Sequence, residues 1–158
     1  MHFYKQLYVL LTAIGNSLKS PLLLLLRLCW GGAFFYSGLW KFGHIDSTIQ
    51  YFTSLGLPIP AFNAYFVSLI ELLGGACLFL GLGSRLAALI LVVDMIVAYM
   101  TAEPEAVRTL FSNPLLFTQK TPFSFLFASL MIFVFGPGAI SIDRYLEKNV
   151  FKQTGEPR

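Results

Sequence analysis

PLLLLLRLCWGGAFFYSGLWKFG, residues 21–43, is the stretch that decides the fold this sequence predicts. A helix needs about 20 largely apolar residues to cross the hydrocarbon core of a bilayer, and this stretch is long enough to do so. It nevertheless carries Arg27 in its first third and Lys41 near its end. Because a charge inside the hydrocarbon costs at least roughly 2.5–3.5 kcal/mol on insertion scales, both cations need a structural or functional reason.

The composition of the whole chain also points to lipid. Of its 158 residues, 56% are hydrophobic and 12% are charged, whereas an ordinary soluble domain has about 25% charged residues. The net charge is only +3, and the basic residues are scattered along the chain rather than clustered. This pattern favours the lipid bilayer over nucleic acid as a partner, and the length allows one domain.

Three further stretches predict membrane spans, at about residues 61–82, 85–101 and 122–138. None of them shows the strict alternation of a strand, and open sheet edges cannot face lipid. The sequence therefore predicts an all-α integral membrane protein whose domain, residues 21–147, contains a bundle of four transmembrane helices.

The segments that flank the spans are predicted to lie at the membrane surface. Residues 1–20 place apolar side chains at helical spacing and lack a small-x-small cleavage site, which favours an interfacial helix over a cleaved signal peptide. SIDRYLEK, residues 141–148, predicts a short surface helix with Ser141 as its cap and Asp143 in its first turn. Residues 148–158 are predicted to form a cytoplasmic tail.

The distribution of Lys and Arg predicts the orientation in the membrane. The side of the two termini has seven basic residues, namely Lys5, Lys19, Arg85, Arg144, Lys148, Lys152 and Arg158. The opposite side has three, namely Lys41, Arg108 and Lys120. Since cytoplasmic segments carry the excess of Lys and Arg, both termini are predicted to be cytoplasmic.

The two outer connections, residues 44–60 and 102–120, are long for so small a bundle and contain many apolar side chains. They are therefore predicted to fold back onto the bundle, where they could form a lid.

One stripe of the first span combines charge with small residues. At about 100° per residue, Arg27, Gly31, Gly38 and Lys41 fall on the same side of the helix. Glycines allow another backbone to approach closely, so this stripe is predicted to face the interior of the bundle.

The second and third spans repeat the combination. Glu71 has Gly75 one turn along with Gly74 beside it, and Asp94 shares a face with small residues of the third span. Counted from the cytoplasmic ends, Arg27 lies at about 9 Å, Asp94 at about 13 Å and Glu71 at about 16 Å. These depths predict that the three side chains meet.

Two interpretations of this cluster compete. Arg27 and Glu71 form a buried ion pair that fixes the helix register, or the cluster lines a cavity that binds a polar head group or carries a proton. Lys41 either joins the cluster or extends to the outer interface. The sequence favours the functional interpretation for Arg27, Glu71 and Asp94, because all three lie on small-residue faces.

Cysteine and histidine offer little chemistry. Cys29 and Cys77 are more typical of free, buried thiols than of a pair, although their similar depths leave an interhelical pair open. The two histidines, His2 and His44, lie at the chain terminus and after the first span, so no metal site is expected.

The order of these features resembles the DoxX family of small bacterial four-helix membrane proteins, over about residues 21–147. The segments that carry the resemblance are RLCWGGAFFYSGLWKF, GLPIP, ELLGGACLFLGLGSRLAAL and GPGAISIDRYL. The matching positions are Arg27, Gly31, Gly38, Lys41, Gly56, Pro58, Glu71, Gly74, Gly81, Arg85, Gly136, Gly138, Ser141 and Asp143. Asp94 and the long third loop are particular to this chain, and no family role extends to them.

The resemblance implies a protein of the bacterial cytoplasmic membrane. It links the chain with thiosulfate:quinone oxidoreduction, and with membrane complexes that handle sulfur or protect against oxidative stress. The sequence has no motif for flavin, haem or an iron–sulfur cluster. We therefore expect no tightly bound cofactor, with a quinone in the cavity of Arg27 and Glu71 as the redox carrier.

Three hypotheses for function follow. The first is a subunit or accessory of a redox system with soluble or membrane-bound partner proteins, whether or not it is itself catalytic. The second is a scaffold that recruits soluble partners, and the third, less favoured, is a small-solute transporter. The sequence selects no oligomeric state. It also predicts a contact between Asp143 and Arg85 at the cytoplasmic face.

Overall fold

Every regular element in this computed structural model is a helix across the described residues, which are 2–149, with side chains from Tyr4 onward. The helices are α1 His2–Leu26, α2 Gly32–Gly43, α3 Ile45–Ser54, α4 Pro60–Leu80, α5 Ser84–Ala102, α6 Pro104–Arg108, α7 Pro114–Thr118, α8 Thr121–Phe135 and α9 Ile142–Asn149. A π-helical turn, Arg27–Gly31, joins α1 to α2. The prediction of an all-α protein is confirmed.

The first helix is longer than the sequence predicted. The π-helical turn continues α1 into α2, and Pro21 lies inside α1 instead of beginning a new helix. A proline removes one backbone hydrogen bond, and the leucines that follow Pro21 keep the chain helical. The predicted break between residues 20 and 21 is therefore wrong. At about 1.5 Å per residue, α1 and α2 together are about 60 Å long, roughly twice the hydrocarbon thickness.

Three helical stretches are long and apolar enough to cross a membrane, namely Tyr4–Gly43, Pro60–Leu80 and Ser84–Ala102. The fourth predicted span corresponds to α8, which is apolar but has only 15 residues. Its length of about 22 Å is less than the roughly 30 Å of a typical hydrocarbon core. The count of four spans therefore stays a prediction.

The four apolar helices pack in a closed order. The α2 helix lies against α4, α4 against α5 and α5 against α8, while α8 contacts the π-helical turn. Phe34, Leu78, Leu91 and Ile132 are fully buried at the centre. Phe34 also packs edge-on against Phe125, with ring centroids 4.7 Å apart. The core thus joins all four helices.

Glycines set the distance between α2 and α4. A Cβ on Gly31 would lie 2.7 Å from the backbone nitrogen of Phe79, and one on Gly38 would overlap the backbone of Leu72. Gly75 similarly faces the backbone of Phe35. The prediction that the glycine stripe faces the bundle interior is confirmed. Because backbone meets backbone at these three glycines, α2 and α4 pack tightly against each other there.

Gly74 lies on a different side of α4. A Cβ there would meet the side chain of Leu91 at 3.0 Å, so this glycine sets the packing of α4 against α5.

The outer connections fold back onto the bundle, as predicted. In the first, α3 packs on α4 and buries Thr48 and Phe52. In the second, the ring of Phe117 stacks on Tyr99 with centroids 4.3 Å apart, and the Tyr99 hydroxyl donates to the Phe117 carbonyl oxygen at 2.8 Å. Pro58 precedes α4, and its carbonyl oxygen accepts a hydrogen bond from the side chain of Asn63 in the first turn of that helix.

Candidate functional site

Arg27 binds helix-end carbonyl groups rather than a carboxylate. Its Nε donates to the carbonyl oxygen of Leu78 at 2.9 Å, and its Nη2 donates to that of Phe79 at 3.2 Å. Its Nη1 donates to the carbonyl oxygens of Pro137 and Ile140 at 2.8 and 2.7 Å. The last carbonyl groups of a helix have no partner within it. The 2% exposed arginine therefore completes the C-terminus of α4 and holds the loop after α8.

The predicted contact of Arg27 with Glu71 and Asp94 is wrong. Leu78 follows Glu71 by seven residues on α4, a rise of about 10 Å. The depth estimate placed the arginine close enough for a long side chain. It could not show that four carbonyl oxygens nearer the helix end would satisfy the guanidinium first.

Asp143 holds the segment after α8 against the N-terminus of α5. Its Oδ1 accepts the N–H of Gly83 at 2.6 Å and its Oδ2 accepts that of Ser84 at 2.9 Å, which caps the N-terminus of α5. The predicted contact with Arg85 is replaced by these backbone donors. The predicted cap of the last helix is confirmed, because Ser141 Oγ accepts the N–H of Arg144 at 3.2 Å.

Gly81 lies between Arg27 and Asp143. Its carbonyl oxygen accepts the N–H of Asp143 at 2.8 Å, and its φ is +75°. A Cβ there would overlap the Arg27 guanidinium. Arg27 and Asp143 therefore form a structural lock at the end of the bundle where α4 and α8 finish.

The charged pair inside the bundle is Lys41 with Glu71. Lys41 Nζ lies 2.6 Å from Glu71 Oε2 across the α2–α4 interface. The side chain of Glu71 is 5% exposed and that of Lys41 is 22% exposed. Lys41 therefore turns inward to a carboxylate, and the alternative in which it extends to the outer interface is wrong.

Asp94 lies within the electrostatic field of this pair. It interacts with both Glu71 and Lys41 and is itself 9% exposed. Its Oδ2 is buried and has no hydrogen-bond partner among the described residues. When all three groups are ionised they carry two negative charges and one positive charge. We call Lys41, Glu71 and Asp94 the polar triad.

The triad includes one contact that sequence reasoning missed, the Lys41–Glu71 pair. The signal lay in the glycine stripes. In the structure, Gly31 lies against Phe79 of α4, and Gly38 of α2 lies against Leu72. This register places Lys41 about one helical turn from Glu71 on the facing helix. A lysine side chain bridges that distance.

The two cysteines do not meet. Cys29 is exposed on the outside of the bundle and Cys77 is half-buried, and both are free thiols.

The apolar helices and the few charged residues buried among them define a helical membrane protein. A DoxX family model matches residues 22–104, more than half of the chain. The protein therefore belongs to the DoxX family, as its sequence motifs predicted.

Two curated relatives support this membership. The protein named "Putative oxidoreductase CatD" of Bacillus subtilis is 33% identical over 125 residues, which cover 79% of this chain and 87% of that protein. The "Uncharacterized membrane protein Rv3486" of Mycobacterium tuberculosis is 29% identical over 138 residues, which cover 81% of this chain and 83% of that protein. No solved structure matches the chain.

Proposed function

We propose that this DoxX protein is the membrane component of a redox system and that the polar triad supplies protons to a lipid-soluble quinone. The observation that carries the proposal is the unpartnered Oδ2 of Asp94 beside the Lys41–Glu71 ion pair. Ionisable groups held inside a membrane are candidates for proton and ligand binding, because their burial is costly without a role.

The charges of the triad suit proton exchange. One ammonium group compensates only one of the two carboxylates, and a proton on the triad removes the remaining negative charge. Asp94 is the group whose oxygen is available, since Glu71 accepts from Lys41. In this proposal Asp94 holds the exchangeable proton, while Glu71 binds Lys41.

Lys41 is the residue suited to orient a quinone. An ammonium group has three N–H donors, one of which binds Glu71. Quinone carbonyl oxygens accept hydrogen bonds, and the 22% exposure of the lysine side chain leaves an approach from outside the packed α2–α4 interface. Quinone reduction to a quinol consumes two electrons and two protons. A partner redox protein would supply the two electrons. Asp94 would deliver the first proton, take up another from water and deliver the second.

A redox role is supported by one relative, which is named a putative oxidoreductase and aligns with most of the chain. We place the protein in the bacterial cytoplasmic membrane with both termini in the cytoplasm. Sulfur handling and protection against oxidative stress are the processes we propose for the system.

Quinone binding to the purified protein tests the proposal. Trp40 adjoins Lys41 and is half exposed, so we would titrate protein in lipid nanodiscs with decylubiquinone and follow the quenching of tryptophan fluorescence. We expect saturable quenching, weakened at least about tenfold in Lys41→Met. Lys120→Met is the matched control, since Lys120 forms an outer ion pair with Glu103 at 2.7 Å.

Asp94→Asn separates binding from proton delivery. This variant should bind decylubiquinone as the wild type does, but the bound quinone should be reduced more slowly by dithionite, because protonation of the reduced quinone depends on Asp94. The decay of the quinone absorbance in nanodiscs measures this rate. Circular dichroism checks that each variant is folded. Equal quenching by all folded variants, or no saturable quenching by the wild type, would overturn the proposal.

A further inference from the structure

A groove of about 780 Å³ lies at the end of the bundle that carries the Arg27–Asp143 lock. Its walls are the C-terminal part of α1, the first turn of α5, the loop after α8 and the first turns of α9. Ser20 Oγ accepts the N–H of Ala139 at 3.3 Å and joins two of these walls. The groove is thus formed by segments distant in the chain.

Basic side chains line the groove from three of its walls. They are Lys19 of α1, Arg85 of α5 and Arg144 of α9. Lys19 Nζ lies 5.2 Å from the centre of the Phe135 ring, and the Arg85 guanidinium lies against Gly136. An aromatic ring and a glycine position these cations without neutralising them.

The acidic residues of the groove are largely compensated. Asp143 directs both carboxylate oxygens at the N–H groups that begin α5, where the helix end carries partial positive charge. Glu147 binds Arg144 at 2.9 Å. Of the three basic residues that line the groove, Lys19 and Arg85 form no ion pair among the described residues.

The groove borders apolar surface on its membrane side. Leu86 is 67% exposed and Phe135 is 46% exposed, and both line the groove. A ligand that fits has an anionic group for the two cations and hydrocarbon that continues along the outside of α5 and α8. A phosphate diester with acyl chains has both features, whereas a free phosphate uses only the first.

We propose that this groove binds the head group of an anionic phospholipid, with Lys19 and Arg85 holding its phosphate from opposite sides. The lipid connects α1 to α5 and α8 at the membrane surface. This binding is independent of the quinone proposed at the triad, which lies at the middle of α4 and α5 rather than at their junction.

Native mass spectrometry of the detergent-purified full chain tests the proposal with phosphatidylglycerol and phosphatidylcholine as probes. We expect the wild type to retain phosphatidylglycerol in preference to phosphatidylcholine. The double variant Lys19→Gln, Arg85→Gln should lose about tenfold in phosphatidylglycerol affinity. Arg108→Gln with Lys120→Gln removes the same charge from the opposite end and should bind as the wild type does.

Two further measurements keep the result decisive. If the double variant does not fold, Lys19→Gln alone changes an exposed part of α1 and should still weaken binding, whereas Arg85→Lys should retain most of it. Competition with inorganic phosphate distinguishes a lipid from a soluble anion. Equal retention of both lipids, unchanged binding by the folded variants, or displacement by low millimolar phosphate would overturn the proposal.

Discussion

Lys41 Nζ and Glu71 Oε2 lie 2.6 Å apart in the interior of a helical membrane bundle, between the helices that the glycine stripes bring closest together. The close approach of α2 and α4 shortens the distance that the lysine side chain must cover. The same approach leaves Glu71 almost without exposure. The glycines and the ion pair therefore depend on each other.

Glu71→Leu should destabilise the protein strongly. Breaking a buried ion pair by removing one partner costs about 3–5 kcal/mol, and we expect the lower part of that range because Lys41 retains some exposure. The double variant Lys41→Met, Glu71→Leu should recover much of the loss, since no charge is left unpaired. Thermal unfolding in detergent compares the two, and a double variant less stable than Glu71→Leu would contradict this account.

Gly38→Ala should also destabilise the bundle, because the new Cβ would overlap the backbone of Leu72. Gly15→Ala is the matched control. Gly15 is also helical, with nothing within 4 Å of an added Cβ, and alanine there should be neutral or stabilising by up to about 1 kcal/mol. Equal unfolding temperatures for the two variants would show that the α2–α4 contact is looser than described.

Arg27→Lys should loosen the end of the bundle although it conserves charge. A lysine lacks the planar array of donors that reaches four carbonyl oxygens at once. Amide hydrogen exchange across residues 136–149 should accelerate, while exchange across the outer helix α3 stays unchanged. Arg108→Lys, in the outer connection, should leave both regions as they are. Unchanged exchange at residues 136–149 in Arg27→Lys would contradict the proposed lock.

The proposed orientation predicts which exposed positions a membrane-impermeant maleimide reaches in intact spheroplasts. In a background with Cys29→Ser and Cys77→Ser, Ser112→Cys in the outer connection should be labelled. Lys148→Cys near the end of α9 should be labelled only after the membrane is permeabilised. The reverse pattern would invert the topology.

The fold was more predictable from sequence than the partners of its charges. The apolar runs and the glycine faces follow from residue type and helical period, so the inward direction of Arg27, Gly31 and Gly38 is confirmed. The partners of Arg27 are backbone carbonyl groups. Every residue has one, so no sequence pattern shows which of them the arginine binds. The partner of Lys41 depends on the register between two helices, which only the packed glycines reveal.

The sequence also did not predict that α1 continues through Pro21. Proline often begins a helix, and the sequence does not show whether the preceding residues are helical in the same direction. In the structure the helix loses one hydrogen bond at Pro21 and continues. The proline, as a signal for a helix start, was less informative here than the long runs of helix-forming residues on both sides of it.

The acceptors of Arg27 have a consequence for the order in which the protein is made. Two of them, Leu78 and Phe79, are synthesised about fifty residues after the arginine, and the other two, Pro137 and Ile140, more than one hundred residues after it. The first helix therefore enters the membrane with a guanidinium that stays incompletely bound until nearly the whole chain has left the ribosome. A nascent chain that stops before α8 lacks two of the four carbonyl acceptors of the Arg27 guanidinium, those of Pro137 and Ile140.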